Sequence, residues 1–196
     1  APAHTYLRIT LTTPSKSDSA TATPFMATLY FKNMKPTESL TITAEANISK
    51  CGKYRYWLNR TWDNKKPIGV FICMNPSTAT SAMCDLTMCN CNNLAMQWGW
   101  GGFYIVNLYA YRATDPNDLK KQNNPIGKLN DHAITDICAN ASMIVLAWGN
   151  GNKKRANDVL SLLGSKKLHC IDKNKGGGFL HPSRIKTKDY PHAKKI

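Results

Sequence analysis

The fold of this chain is indicated most clearly by residues 68–77, which read IGVFICMNPS. Residues 68–73 are a continuous apolar run without polar alternation, which is typical of a strand buried on both faces of a sheet. The Met-Asn-Pro sequence after the run predicts a loop at the end of that strand. The segment therefore predicts an α/β fold, in which helices cover both faces of the sheet.

Elements of the same kind follow along the chain. Strands are predicted at residues 103–106, 143–148 and 168–171, and helices at residues 90–98, 130–141 and 152–163, the last ending at Gly164. Strands that alternate with helices predict a three-layer α/β/α arrangement with a mainly parallel central sheet. In such sheets ligands bind beyond the carboxyl ends of the strands.

The first 50 residues differ in composition and are rich in Thr and Ser. Short alternating runs at residues 6–11, 27–31 and 40–44 predict an N-terminal antiparallel β-rich extension. A segment of about 50 residues buries little apolar surface alone, so it is expected to pack on an α/β domain formed by residues 51–196.

The composition is strongly basic, because 26 Lys and Arg residues against 12 Asp and Glu give a formal net charge of +14 over 196 residues. An apolar content of 42% excludes a disordered chain. No apolar run approaches the roughly 20 residues of a membrane span, and no signal peptide is visible. We therefore expect a cytoplasmic protein without a membrane partner, and the charge predicts a polyanion, most often nucleic acid.

The seven cysteines are odd in number and irregularly spaced, which favours reduced thiols over a disulfide framework. The gaps between Cys84, Cys89 and Cys91 match no common zinc or iron–sulfur pattern. We predict neither a metal nor a cofactor. The remaining four cysteines of the sequence are Cys51, Cys73, Cys138 and Cys170.

Four short motifs lie at or just after the ends of predicted strands: CMNPS at residues 73–77, YIVN at 104–107, LAWG at 146–149 and HPS at 181–183. Their order and strand context resemble the uracil-DNA glycosylase superfamily. Residues 51–181 also resemble an uncharacterised bacterial domain family with an Asn-Pro-Ser-Thr-Ala motif. The resemblance implies a fold of the uracil-DNA glycosylase type and a monofunctional DNA N-glycosylase. Such an enzyme flips a base out of DNA and hydrolyses its N-glycosidic bond, in DNA repair or in defence against phage.

The resemblance also implies the catalytic positions. Asn75 stands where superfamily members have the Asp or Asn that orients the attacking water, and His181 matches the histidine that hydrogen-bonds the leaving base. An amide is a poor general base, so Asp85, the nearest carboxylate in sequence, is a candidate for activating the water. The alternative for Asp85, equally compatible with the sequence, is the N-cap of a helix.

The substrate-binding positions follow in the same way. Asn107 matches the asparagine that reads the base edge in the superfamily. Ser77 stands where the strictly uracil-specific members carry a tyrosine that blocks C5 of the pyrimidine. The resemblance therefore implies a base larger than uracil, such as a 5-substituted or hypermodified pyrimidine of phage DNA. The other predicted substrate-binding residues are Met74, Pro76, Tyr109 and Arg112.

Contacts with DNA are predicted in the last quarter of the chain. Ser183 is expected to contact a phosphate, and Arg184 and Ile185 to form the wedge that fills the hole left by a flipped base. Residues 151–196 carry 12 Lys and Arg against three Asp, which is +9 of the total of +14. Cations beside residues 181–183 are therefore expected to hold phosphates. They are Lys153, Lys154, Arg155 and Lys186.

Two other functions stay open at this point. A module of the same fold that lost catalysis would bind nucleic acid or a nucleotide, as an amide at Asn75 permits. The other open function is hydrolysis of a free nucleotide or of a modified RNA nucleoside.

Overall fold

The computed structural model describes residues 8–11, 39–77, 85–185 and 191–196. It divides the chain into two compact units, Ala1–Thr43 and Ala44–Ile196. The strand predicted at residues 27–31, the thiol of Cys84 and the predicted DNA contact of Lys186 lie outside the described residues.

Two strands are described at the N-terminal side, β1 (Arg8–Leu11) and β2 (Ser39–Ile48). They pair in parallel, from Arg8 opposite Ser39 to Leu11 opposite Ile42. The prediction of antiparallel pairing is therefore wrong for these strands. Alternation of apolar and polar residues indicates a strand but not its direction, and residues 12–38 exceed the dozen residues that a parallel crossover needs.

The second unit alternates strands and helices. Its strands are β3 (Arg55–Thr61), β4 (Ile68–Cys73), β5 (Gly102–Asn107), β6 (Ile144–Leu146), β7 (Leu168–Cys170) and β8 (Lys194–Lys195). Its α-helices are α1 (Leu86–Gln97), α2 (Asn130–Ala139) and α3 (Lys153–Leu163). Two 3-10 helices lie at Pro116–Lys121 and Pro182–Arg184.

The sheet of this unit has the strand order β3-β5-β4-β6-β7-β8. The four central strands are parallel, whereas β3 and β8 are antiparallel to their neighbours. A mixed α/β fold, as predicted, is confirmed. The register places Cys73 opposite Asn107, so β4 and β5 end side by side.

The two faces of the sheet are covered by different helices. On one face Phe71 and Cys73 pack in a core with residues of α1, and on the other Val70 and Ile72 pack with residues of α2 and α3. Successive side chains of a strand point to opposite faces, so β4 needs an apolar residue at every position. This is the physical reason for the continuous apolar run at residues 68–73.

The predicted ends of α3 match its observed capping. The Asn152 side chain accepts a hydrogen bond from the Arg155 backbone N–H at 3.1 Å, and Gly164 ends the helix with φ +57°. Within the described ranges, every helix is too short or too polar to cross a membrane.

Candidate functional site

A pocket opens at the carboxyl ends of β4 and β5, where the parallel strands predict a ligand site. The empty space between its lining residues is about 380 Å³, part of which is open solvent. Five predicted site residues, separated by up to 106 positions in sequence, meet there. The lining residues are Arg55, Cys73, Asn75, Ser77, Asp85, Thr87, Met88, Ile105, Asn107 and His181.

Asn75 lies two residues after the end of β4, and its side-chain amide has a defined orientation. Nδ2 donates to the backbone carbonyl of Ala113 at 2.8 Å and to that of Pro76 at 3.2 Å. Because carbonyl oxygens only accept, the NH₂ end must face them. The Oδ1 atom is thereby left as the acceptor, which suits the orientation of a water molecule.

Asn107 ends β5 and is 2% exposed. Its Nδ2 is buried and has no hydrogen-bond partner within the described part of the chain. Its backbone carbonyl accepts from Nδ2 of Asn130 at 3.0 Å, which holds the end of the strand in place. An unsatisfied buried donor costs free energy comparable to a lost hydrogen bond, and a ligand acceptor in the pocket would recover it.

His181 enters the pocket from the turn before the second 3-10 helix. Its Nδ1 accepts from the Ser183 backbone N–H at 3.3 Å and lies 2.9 Å from the Ser183 hydroxyl. Burial lowers the pKa of His181 to about 4, so the ring is neutral at neutral pH. Since Nδ1 is the acceptor, the ring hydrogen resides on Nε2, which becomes a neutral donor.

The His181 turn is anchored to helix α1. Nδ2 of the buried Asn90 donates to the Pro182 carbonyl at 2.7 Å, across 92 positions of sequence. The motif pattern did not predict this anchor, because nothing in the sequence links an asparagine of α1 to that turn.

Asp85 is the N-cap of α1, which was one of its two predicted roles. Its Oδ1 accepts from the Met88 backbone N–H at 2.8 Å, and its Oδ2 lies 3.4 Å from the Ser77 hydroxyl. The residue is exposed and still lines the pocket. One oxygen is therefore committed to the helix, and the other faces Ser77.

Three polar lining residues were not predicted: Arg55 from β3, Cys73 from β4 and Thr87 from α1. Burial raises the pKa of the Cys73 thiol to about 12, so it is neutral. Burial, followed by the charge of Arg112, lowers the pKa of Arg55 to about 10, so its guanidinium stays positive. The CGKYRYW stretch that contains Arg55 gives no sequence signal of its position at the pocket.

Four predicted substrate-binding residues do not line the pocket. Met74 and Tyr109 pack against the core on the side of α2 and α3. Pro76 is buried and accepts from the Ala113 backbone N–H at 3.0 Å. Arg112 donates from Nη1 to the Gly52 carbonyl at 3.1 Å.

The predicted DNA contacts are divided between surface and interior. Lys153, Lys154 and Arg184 are exposed, whereas Ile185 packs partly against the core on the α1 side. Ser183 is engaged with His181.

Arg155 is 4% exposed, and its guanidinium donates to the Leu108 carbonyl at 2.8 Å and pairs with Asp131. The prediction that Arg155 contacts DNA is therefore withdrawn. The basic run at residues 153–155 gave no warning of this, because the helix turns its third member inward, beside Ala156 and Val159.

Comparison with known proteins gives one family. No curated protein and no solved structure matches the chain. Residues 55–183, more than half of the sequence, match the family described as "Protein of unknown function (DUF1643)". The matched range begins at β3 and ends at Ser183, so it contains every residue that lines the pocket. The chain belongs to the DUF1643 family.

Proposed function

We propose that the protein is a DNA N-glycosylase that flips a modified pyrimidine into this pocket and releases it by hydrolysis, on a fold of the uracil-DNA glycosylase type. The observation that carries the proposal is the meeting of Asn75, Asn107 and His181 in one pocket. These are the three positions to which the resemblance gives the water, the base edge and the leaving group. Their hydrogen-bonding capacities fit those roles.

The reaction needs two kinds of assistance. The bond between C1′ and the base nitrogen breaks, and its electron pair leaves with the base, so the sugar becomes positive and the base negative. A water oxygen then bonds to C1′ and loses a proton to solvent or to a proton-accepting side chain. The departing nucleobase takes up a proton. The protein must therefore place a water below C1′ and stabilise the anionic base.

His181 supplies the second kind of assistance. A neutral Nε2–H donates to a pyrimidine oxygen that gains negative charge as the bond breaks, and it does so without transferring a full proton. The Ser183 backbone N–H, which donates to Nδ1, favours the tautomer that this role requires. Asn107 adds a buried donor on the same pocket wall.

Asn75 supplies the other kind of assistance, which is the placement of the water. Its Oδ1 acceptor is directed by the two bonds that Nδ2 makes to backbone carbonyls. An amide orients water but does not remove its proton, so we expect slow hydrolysis or a base that leaves readily. Oδ2 of Asp85 faces the Ser77 hydroxyl at 3.4 Å and does not cap the helix, which makes that carboxylate the remaining candidate for proton acceptance.

The substrate class follows from Ser77. Its short side chain lines the pocket where the resemblance would place a blocking tyrosine, so a substituent at C5 of the pyrimidine is accommodated. The exposed cations Lys153, Lys154 and Arg184 supply phosphate contacts that do not depend on sequence.

The test is excision from duplex oligonucleotides that carry uracil or a series of 5-substituted pyrimidines. Abasic sites are detected by alkaline cleavage, and binding is measured separately by fluorescence anisotropy. We expect the wild type to release a 5-substituted base, and N75A and H181A to lose release while keeping salt-dependent binding. The matched control is H132A, which removes an exposed histidine of α2 outside the pocket.

A non-catalytic module that binds nucleic acid or a nucleotide is the second candidate. It is favoured by one observation, namely that Asp85, the only carboxylate among the described lining residues, uses one oxygen to cap α1. Tight binding of every duplex without release of any base would establish this function and refute the glycosylase.

A further inference from the structure

A hairpin loop joins strand β7 to His181. It consists of residues 172–180, which read DKNKGGGFL, and it begins two positions after the carboxyl end of β7. The Leu180 backbone N–H donates to the Asp172 carbonyl at 2.8 Å, which pairs the two legs of the loop. His181, the next residue, lines the pocket. This loop, called the basic hairpin below, is therefore continuous with the pocket wall.

The basic hairpin is fixed to the loop that follows β6. The backbone groups of Phe179 and Gly149 exchange two hydrogen bonds, of 2.8 and 3.0 Å, and the Phe179 ring contacts Trp148 edge to face. An added Cβ on Gly178 would overlap the Gly149 carbonyl oxygen, so this close approach requires glycine. Because β6 and β7 are parallel to β4, both loops lie at the edge of the sheet where the pocket opens.

Two exposed lysines give the basic hairpin its charge, Lys173 and Lys175. Neither forms an ion pair within the described part of the chain. The one carboxylate of the hairpin, Asp172, pairs instead with Lys194 at 2.7 Å. The charges of the two lysines are therefore directed to solvent, where a partner of opposite charge can meet them.

The sheet divides the exposed lysines of this part of the chain between two edges. Lys153 and Lys154 follow β6, so they lie at the same edge as the basic hairpin and the pocket. Lys166 and Lys167 directly precede β7, so they lie at the opposite edge. The fold therefore provides a matched pair of lysines with the same charge and exposure, away from the pocket.

We propose that the basic hairpin is a surface that binds the phosphate backbone of DNA, and that Lys173 and Lys175 hold the strand on the His181 side of the pocket. The choice of DNA rests on the proposed function, whereas the attraction of a phosphate backbone does not. Phosphate contacts position a duplex without reading its sequence. A membrane surface fits less well, because the large apolar residues of the hairpin, Phe179 and Leu180, pack inward and leave no apolar anchor on it.

The test measures how the binding of duplex DNA depends on salt, by fluorescence anisotropy between about 50 and 200 mM NaCl. Each lysine that neutralises a phosphate contributes about 0.9 to the steepness of log affinity against log salt. K173Q/K175Q should therefore reduce the steepness by about 1.8, and K173R/K175R, which keeps both charges, should retain it. The matched control is K166Q/K167Q, which removes two charges from the opposite edge and should leave the steepness unchanged.

Three results would overturn the proposal. An unchanged steepness in K173Q/K175Q would show that the hairpin does not contact phosphates. An equal reduction in K166Q/K167Q would show that only the net charge matters. Loss of binding to vesicles of anionic lipid in K173Q/K175Q, without a change in DNA binding, would assign the surface to a membrane.

Release of bases is measured on the same duplexes, so that this proposal and the glycosylase fail separately. A reduced steepness in K173Q/K175Q, with no base released from any duplex by the wild type, would uphold the surface and refute the glycosylase. Release of a base by the wild type, with the same steepness in K173Q/K175Q, would refute the surface alone.

Discussion

The neutrality of His181 leads to a stability measurement that does not depend on any substrate. Burial lowers its pKa from 6.5 to about 4 in the folded protein. Below pH 6.5 the unfolded chain takes up a proton at this ring, whereas the folded protein does so only near pH 4. The free energy of unfolding therefore falls as the pH is lowered through this window, and the His181 contribution is constant above it.

The magnitude follows from the size of the shift. A difference of 2.5 pH units, at about 1.36 kcal/mol for each unit, gives about 3.4 kcal/mol as an upper value. His181 is half-buried, so solvent reduces this, and we expect about 2 to 3 kcal/mol. This is a large part of the stability of an ordinary domain.

The assay is urea unfolding followed by tryptophan fluorescence, between pH 4 and pH 7.5, for the wild type and H181Q. Glutamine has no titrating proton and can still accept from the Ser183 backbone N–H. All other titrating groups are shared, so the difference between the two proteins isolates His181. We expect the wild type to lose about 2 to 3 kcal/mol more than H181Q as the pH falls. Parallel curves would refute the reasoning, because they would mean that His181 has an ordinary pKa.

Three further predictions concern the pocket and the sheet beneath it. N75D should lower the melting temperature and abolish any excision, because a carboxylate oxygen would replace the donor 2.8 Å from the Ala113 carbonyl; a faster N75D enzyme would show that a carboxylate is tolerated there. D85N should unfold at the wild-type urea concentration and D85A should lose about 1 kcal/mol, since Asn caps a helix as well as Asp; equal losses would contradict the cap. G69A should lose about 1 to 3 kcal/mol in the same assay, because a Cβ on Gly69 would lie 2.2 Å from the buried Trp100 ring; an unchanged midpoint would show that the ring can move.

The central sheet could be predicted from the sequence because its strands are buried on both faces. The run at residues 68–73 matches β4, and the cap and stop residues of α3 match its ends. Strand β3 was not predicted, because its buried positions include Arg55, Asn59 and Arg60, so it lacks an apolar pattern. The direction of β1 relative to β2 depends on long-range pairing, which local patterns do not encode.

The candidate site was predicted in part for the same reason. Asn107 ends β5, and Asn75 lies two residues after the end of the neighbouring parallel strand β4, so the topology brings them together. Arg55 reaches the pocket through the antiparallel pairing of β3 with β5, nearly fifty positions along the chain, and a local sequence pattern does not reveal that pairing. Arg155 was predicted to contact DNA but is buried. Its burial depends on how α3 packs, which the basic run in the sequence does not indicate.

The proposed chemistry is tested most directly by mass spectrometry of the free base released from duplex DNA with a 5-substituted pyrimidine. The measurement is made under single-turnover conditions for the wild type, N75A and H181A. We predict release of the intact modified base by the wild type, one abasic site for each base released, and no release by either variant. Wild-type protein that binds these duplexes and releases no base would contradict the assignment of Asn75, Asn107 and His181 to glycosidic hydrolysis.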